Sequence, residues 1–300
     1  TPNVELNQVS ADVIYDRIAS DLSEAAGLLP DSYSGEDVGR ATSGAASTLL
    51  GLVHLTNGND GQAETALRSV VQSNQYELIP SYQDIWGVEN KNNEESIFEI
   101  QFKSGGQGTG SPFTEYYSPN LSISGGVGGG NAPQAIPEEL LDAYDASDDR
   151  LNSYGVVDDD GAPYLNKYDG TQFAAFDGDN NFVVFRYADV LLMLAEAIGE
   201  SQESIDLIDE VRERSGLTTS IADLPGSFSE KLLAERQREF VGENKRWPDL
   251  VRFGVAPQVM ADFLSDEGIS TNDVRLLYPI PQREIDSSSG ALSQNPGILD

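Results

Sequence analysis

The segment "LLAERQREFVGENKRWPDLVRFG", residues 232–254, interleaves acids and bases with aromatic and aliphatic side chains. Ser227 is followed three residues later by Glu230, a capping-box pattern that predicts a helix beginning near residue 228. One face of this helix would carry three apolar residues and one base: Leu232, Leu233, Arg236 and Phe240. A charge on an apolar face is tolerated only when it is paired, because an unpaired desolvated charge costs several kcal/mol.

The alternating signs within this segment predict internal salt bridges. Glu239 and Glu243 offer partners to the bases, and Gly242 is expected to break or bend the helix. Trp247, followed by Pro248, predicts a packed corner. We therefore interpret the following residues as a structural signature: Arg236, Glu239, Glu243, Arg246, Trp247, Asp249 and Arg252.

A basic strip and a glycosidase carboxylate pair are the two functional alternatives to this structural role. A basic strip is excluded, because the acids balance the bases. A glycosidase pair needs only two carboxylates about 5 to 9 Å apart, so residue type alone does not exclude it. Acids flanked by arginines have lowered pKa values, however, which is wrong for a general acid.

The composition indicates a globular and strongly acidic chain. Its 300 residues are 39% hydrophobic, which suits one large domain or two small ones with a buried core. The 50 acids and 18 bases give a net charge of −32, which disfavours binding to nucleic acid or anionic lipid. An acid-rich, lysine-poor surface is typical of proteins kept soluble in concentrated salt. It predicts a halophilic origin, with an ordinary acidic protein as the alternative.

Residue types missing from the chain exclude several chemistries. Cysteine is absent and His54 is the only histidine, which excludes disulfides, thiol nucleophiles and multi-histidine zinc sites. The sequence contains no run of about 18 apolar residues, so no membrane span is predicted. The first residues, "TPNVELNQVS", lack the pattern of a signal peptide and do not begin with Met. We expect the chain to be processed or a fragment, with any targeting signal outside it.

Helical hairpins are predicted near both ends of the chain. Residues 10–29 have helical apolar spacing, and residues 41–57 and 61–73 form a pair with tetratricopeptide-repeat spacing. The repeat positions are Leu50, Gly51, Ala63 and Leu67, and His54 is interpreted as a packed helix residue. Residues 186–199 and 201–217 predict a second hairpin. The helical repeats thus extend over about 10–80 and 186–254 of a single domain, 1–300.

A loop-rich insert, about 104–185, separates these repeats. Residues 96–102 alternate in hydrophobicity and predict a strand, whereas 104–131 and 151–185 are irregular and rich in Gly or acids. A short helix is predicted over 136–150, with Pro137 in its first turn. Because long loops in compact domains are usually functional or disordered, we expect recognition to lie in this insert.

No metal site and no phosphate loop are predicted in the insert. Asp177, Asp179 and Asn181 open like a calcium loop, but Phe182 and Ala188 stand where the sixth-position Gly and the twelfth-position Glu are needed. "GGQGTG", residues 105–110, is not followed by Lys-Ser/Thr and therefore does not match a phosphate loop.

The 232–254 segment resembles the C-terminal signature of the SusD/RagB family. The matching residues are Glu235, Arg236, Glu239, Phe240, Gly242, Glu243, Arg246, Trp247, Asp249, Leu250 and Arg252. "LYPIPQREIDSSSGALSQNPGI", residues 277–298, is similar to the family's ending, and "RYADVLLMLAEA", 186–197, to its fourth repeat. The resemblance covers essentially the whole chain, whereas the family's first third, with its lipidated Cys, has no counterpart here.

The resemblance implies a mostly α-helical, SusD-like fold, in which tetratricopeptide-like hairpins support an irregular, loop-rich ligand-binding part. It also implies a cell-surface protein, lipid-anchored on the extracellular face of the outer membrane in Bacteroidetes-like bacteria. Such proteins capture oligosaccharides or other nutrients for a SusC-like TonB-dependent transporter, without catalysis and without a cofactor. The alternatives are a carbohydrate-active hydrolase using a carboxylate pair, and a protein-interaction scaffold of helical repeats.

Aromatic side chains in loops are the candidate ligand-binding residues, because aromatic rings cover the apolar face of a pyranose. The candidates are Trp86, Phe113, Tyr116, Tyr117, Tyr154, Tyr164 and Tyr168. The alternative for each is a packing role, in which the ring fastens its loop to the body of the protein.

Overall fold

The computed structural model describes residues 8–117, 136–156, 163–170, 172–266, 268–269 and 275–296. Parts of three predicted features lie outside the described residues. They are the loop segment 118–131, the acidic run 157–160 and Gly297 of the C-terminal motif.

Helices dominate the described residues. The α-helices are α1 (Ala11–Leu28), α2 (Ser43–Thr56), α3 (Asp60–Gln72), α4 (Phe113–Tyr117), α5 (Glu138–Asp142), α6 (Tyr187–Ile198), α7 (Gln202–Arg214), α8 (Phe228–Glu239), α9 (Arg246–Arg252), α10 (Ala256–Asp266) and α11 (Gln282–Ser287). The strands are β1 (Ser96–Ile100), β2 (Tyr154–Val156), β3 (Pro163–Leu165), β4 (Gln172–Ala174), β5 (Asp177–Gly178) and β6 (Phe182–Arg186). The predicted fold class, helical hairpins with a loop-rich part, is confirmed.

Small residues bring α2 and α3 together. Gly51 is buried, and a Cβ atom added to it would lie 2.6 Å from the Leu67 side chain. Ala63 and Leu67 are fully buried in the same interface. Gly51 and Ala63 thus allow the two helices to approach closely, and half-buried His54 lies on the same hairpin.

Helix α6 is the centre of the core and is buried on more than one face. Val190, Met193 and Leu194 pack in a cluster with residues of α2 and α3. Leu191 and Leu192 pack in a second cluster with residues of α7 and α8. A helix covered on both sides needs no polar stripe, which explains why its sequence is almost continuously apolar.

The antiparallel pair of β1 and β6 positions a charged residue inside the protein. Arg186 is the last residue of β6 and the N-cap of α6, and it pairs in register with Ser96. The amide of Tyr187 donates a hydrogen bond to the carbonyl of Glu95 at 2.8 Å. The strand-to-helix junction therefore holds Arg186 and Glu95 side by side.

The insert contains more regular structure than its sequence predicts. Residues 151–185 include two short antiparallel hairpins, β2 with β3 and β4 with β5, instead of being wholly irregular. Their strands have two or three residues, too few for a recognisable alternation. The helix predicted over 136–150 is also wrong in length, since α5 ends at Asp142 and Pro137 is its N-cap.

Helix α8, which carries the first part of the 232–254 segment, begins where the sequence predicts. Ser227 and Glu230 form the reciprocal capping box of α8. The helix ends at Glu239, and Gly242 follows with a left-handed φ of +79°. A Cβ atom at Gly242 would lie 2.3 Å from the Leu165 side chain. Both the left-handed φ and this close approach therefore favour glycine here. Among the described residues, no helix is both long and apolar enough to cross a membrane.

Replacing Gly51 by Ala should destabilise the protein by about 1–3 kcal/mol, because the added methyl group overpacks the α2–α3 interface. Gly61→Ala in α3 is the matched control, since nothing lies within 4 Å of a Cβ atom there. The control should be neutral or slightly stabilising. Urea unfolding of both variants measures the difference, and equal stabilities would contradict the close approach of the helices.

Candidate functional site

The 232–254 segment supplies acids to a buried ion-pair network, which we call the acid ladder. Its acids on and after α8 are Glu235, Glu239 and Glu243, each at most 2% exposed. One base, Arg238, is on α8 itself, and the others come from elsewhere in the chain: Arg150, Lys167, Arg186, Arg212 and Arg214. Glu95 and Asp148 complete the set.

Glu239 is at the centre of the acid ladder. It accepts hydrogen bonds from Arg150 at 2.9 Å, from Arg186 at 2.5 Å, and from Arg214. Arg186 also donates to Glu95 and Glu243, both at 2.8 Å. One carboxylate therefore joins the insert, the β6–α6 junction and α7.

A second buried group of charges lies on the other side of α8. Arg236, 1% exposed, pairs with Asp189 at 3.0 Å and with Asp249 at 2.8 Å. Lys245 pairs with Asp189 at 2.7 Å, and Arg252 with Asp249 at 2.7 Å. The base on the apolar face of α8 is thus paired, as burial requires.

These contacts control the ionisation of the buried acids. Burial alone would raise the pKa of Glu235, but the guanidinium groups of Arg150, Arg238 and Arg212 lower it to about 2. Asp189 is likewise buried, and Lys245 and Arg236 lower its pKa to about 2. Both acids are ionised at neutral pH, so neither is suited to general-acid catalysis.

Lys167 is a buried base of the acid ladder. Burial lowers its pKa to about 8 against the opposing effect of Glu243, to which it donates a hydrogen bond at 2.8 Å. Its ammonium lies 4.3 Å from the ring centroid of Trp86. The indole thus packs under a charge inside the protein.

Arg246 and Trp247 differ from the rest of the structural signature. Arg246 is half-buried and donates a long hydrogen bond to the carbonyl of Leu233 at 3.4 Å. Trp247 is 44% exposed, so the packed corner expected there is wrong. Both residues line a cavity of about 830 Å³ with Tyr117 and Phe263, because α9 turns Asp249 and Leu250 inward instead.

Several predicted ligand-binding residues pack on each other. Tyr168 is 1% exposed and stacks on Phe113 and Tyr117, with ring centroids 5.2 and 5.0 Å apart. Phe113 also stacks on Phe182 at 5.0 Å. The Tyr168 hydroxyl donates a hydrogen bond to the carbonyl of Gly242 at 3.0 Å, which attaches the insert to the 232–254 segment.

Two further candidates are engaged by neighbouring side chains. The hydroxyls of Tyr154 and Tyr144 lie 3.0 Å apart, and the two rings meet edge to face. Tyr164 donates to the Asp169 carboxylate at 3.3 Å. Of the seven candidates, only Tyr116 is exposed, at 40%, and Tyr117 is half-buried at the cavity.

Two exposed aromatic residues were missed among the candidates. Phe173 is 65% and Phe176 is 45% exposed, and both belong to the β4–β5 hairpin. The rings of Phe176 and Tyr116 meet edge to face at 5.8 Å.

The acidic run that opens like a calcium loop has another role. Asp179 accepts hydrogen bonds from the amide and hydroxyl of Ser104, both at 2.8 Å. Asp177 accepts from the amides of Gly105 and Gly106. The carboxylates thus hold the "GGQGTG" loop, and the described residues contain no cluster of acids or histidine that would hold a metal ion.

The described residues combine helical hairpins with a loop-rich part. Residues 162–297 match the SusD family. A laminarin-binding SusD-like protein of known structure is 31% identical, with a TM-score of 0.76, over 97% of this chain and 70% of that one. This chain belongs to the SusD family.

Other relatives agree with this assignment. Surface glycan-binding protein A from Bacteroides thetaiotaomicron, in complex with laminarihexaose, is 26% identical with a TM-score of 0.82, over 96% of this chain and 72% of that one. SusD-like protein P25 from Formosa agariphila is 25% identical over 98% of this chain. The chain spans 64% of that protein's length. The names that state a function describe binding proteins and not enzymes.

Replacing Glu239 by Gln should cost about 3–5 kcal/mol of unfolding free energy, because it leaves buried guanidinium groups short of a counter-charge. Urea unfolding measures the loss. Glu284→Gln is the matched control: its pair with Arg283 has side chains 48% and 90% exposed and should matter little. A Glu239 variant as stable as the control would contradict the central role of this carboxylate.

Acid should unfold the protein over a window set by Glu235 and Asp189. Their ordinary pKa values of 4.5 and 3.8 fall to about 2 in the folded state. The unfolded chain therefore binds more protons below about pH 4.5, and stability is lost as the pH falls from there towards 2. Urea midpoints measured between neutral pH and pH 2 test this. A midpoint that does not change with pH would contradict it.

Proposed function

We propose that this protein captures oligosaccharides at the cell surface and delivers them to a TonB-dependent outer-membrane transporter of the SusC type. The observation that carries the proposal is the structural likeness, at a TM-score of 0.82, to a surface glycan-binding protein in complex with laminarihexaose. The laminarin-binding relative supports the same class of ligand. Location on the extracellular face of the outer membrane, through a lipid anchor, is part of this proposal.

The geometry supports binding better than hydrolysis. The acids of the acid ladder are enclosed by bases, and burial between these bases leaves them ionised. Exposed aromatic rings in the insert provide contacts for a sugar, and they need no reactive group. The division into helical repeats at 10–80 and 186–254 around an insert at 104–185 is proposed as the frame for this task. The halophilic origin stays a prediction from composition alone.

Titration calorimetry with laminarihexaose should detect binding to the purified chain, without release of new reducing ends on long incubation. Titration of laminarihexaose into buffer without protein is the control for the heat of dilution, and titration into heat-unfolded protein is the control for non-specific effects. In the native host, an affinity-tagged version should co-purify with a TonB-dependent transporter. Failure to bind any neutral or acidic oligosaccharide, with no transporter recovered, would reject the proposal.

A further inference from the structure

A small cavity lies where the segment before β1 meets the insert. Trp86, Lys167 and Asn180 are among the residues that line it. Its volume is about 20 Å³. A cavity needs roughly 10–15 Å³ to hold one water molecule, so this one has room for a single water and for no larger molecule.

Two buried polar atoms of the lining residues have no hydrogen-bond partner among the described residues. The indole Nε1–H of Trp86 can only donate, and the side-chain Oδ1 of Asn180 can only accept. Asn180 is 3% exposed, and its Nδ2 group already donates to the carbonyl of Asp169 at 3.3 Å. Unpaired buried polar groups are rare, because each loses its hydration without compensation. One donor and one acceptor at the same cavity therefore need a partner.

Neighbouring polar side chains around the cavity are already bonded. The two carboxylate oxygens of Glu99 accept hydrogen bonds from the amide of Asn92 at 3.0 Å and from Asn181 at 2.7 Å. Asn181 Oδ1 accepts from the amide of Phe102 at 2.9 Å. Lys91 donates to the carbonyl of Phe102 at 3.1 Å. These groups hold the walls in place and do not supply the two missing partners.

Lys167 provides a second donor beside the indole. An ammonium group has three N–H bonds. Two are used by the carbonyl of Val241 and the carboxylate of Glu243, both at 2.8 Å. The described residues offer no hydrogen-bond acceptor to the third, and the ammonium lies 4.3 Å from the ring centroid of Trp86. A ligand in the cavity would thus meet up to two donors and one acceptor.

This set of partners favours water over an ion. A hard cation is bound by oxygen ligands, whereas Trp86 and Lys167 present N–H groups. An anion would have to lie beside the acceptor oxygen of Asn180 and near the carboxylate of Glu99, which lines the same cavity. A water molecule both accepts and donates, and a buried water typically makes about three hydrogen bonds.

We infer that one water molecule binds in this cavity and bridges Trp86 Nε1 to Asn180 Oδ1, with the Lys167 ammonium as its second donor. Trp86 precedes β1 and Asn180 lies between β5 and β6, so the water attaches the segment before β1 to the insert. The indole N–H of Trp86 then has its partner inside the protein. This inference goes beyond the proposed function and does not depend on it.

A crystal structure of the chain, at a resolution that shows ordered waters, is the direct test. It should contain one density peak at about 2.7–3.2 Å from both Trp86 Nε1 and Asn180 Oδ1. Crystals soaked in bromide should give no anomalous signal there, and a signal would identify an anion site and overturn the inference. A cavity without density would overturn it too, as would an indole N–H that donates directly to a protein acceptor.

Urea unfolding of Trp86→Phe, Asn180→Ala and the double variant tests the bridge in solution. Each single change removes one partner of the water and leaves the other, so each should lower the folding equilibrium constant by about ten-fold. Because the two side chains share one water, the double variant should lose much less than the product of about a hundred-fold.

Trp247→Phe is the matched control for the indole, since Trp247 is 44% exposed and is one of only two tryptophans in the chain. It should unfold like the unmodified protein. Losses that multiply in the double variant, or a Trp86→Phe variant as stable as Trp247→Phe, would contradict the shared water.

Discussion

The Glu239 carboxylate, shared by the guanidinium groups of Arg150, Arg186 and Arg214, is the contact on which the structure depends. Each base arrives from a different part of the chain: the segment before β2, the end of β6 and the end of α7. Taking these charges out of water is costly, and only close pairing offsets the cost. The helical hairpins and the insert must therefore assemble in one arrangement, because any other would leave a buried charge without its partner.

Because of this constraint, the interior has its charges in ion pairs, whereas the outer surface of the insert is not held by them. The aromatic stack of Tyr117, Tyr168 and Phe113 extends the fixed part into the insert, through the hydrogen bond from Tyr168 to Gly242. Beyond it, the β4–β5 hairpin is held by Asp177, whose carboxylate accepts hydrogen bonds from a glycine loop. The backbone of this part of the insert is therefore held in place before any ligand binds.

The sequence predicted what depends on local patterns. The capping box at Ser227, the close helix approach at Gly51 and the need to pair Arg236 all follow from spacing within one element. It could not predict partners that are distant along the chain, such as Arg150, which is 85 residues from Glu235.

The aromatic candidates show the same limit for the site. Loop aromatics look alike in sequence, and only tertiary packing separates buried Tyr168 from exposed Phe176. The one local signal was available in principle: a Phe at the tip of a two-residue turn, before Asp-Gly, occupies a position better suited to Gly or Asn. Trp247 was misjudged because its neighbours in sequence belong to the buried network, whereas its own side chain lines the cavity.

The same ion pairs that fix the fold also determine which charged side chains remain at the surface. Each base that neutralises Glu235, Glu239 or Glu243 is withdrawn from the surface together with an acid, so these ion pairs leave the chain's excess of acids over bases, 50 to 18, almost unchanged at the surface. The electrostatic field of this acidic surface does not repel an uncharged oligosaccharide, which is recognised through its ring faces and hydroxyl groups. A polyanion must approach against it. The arginines that stabilise the helical frame are therefore held in the interior and are not available at the surface.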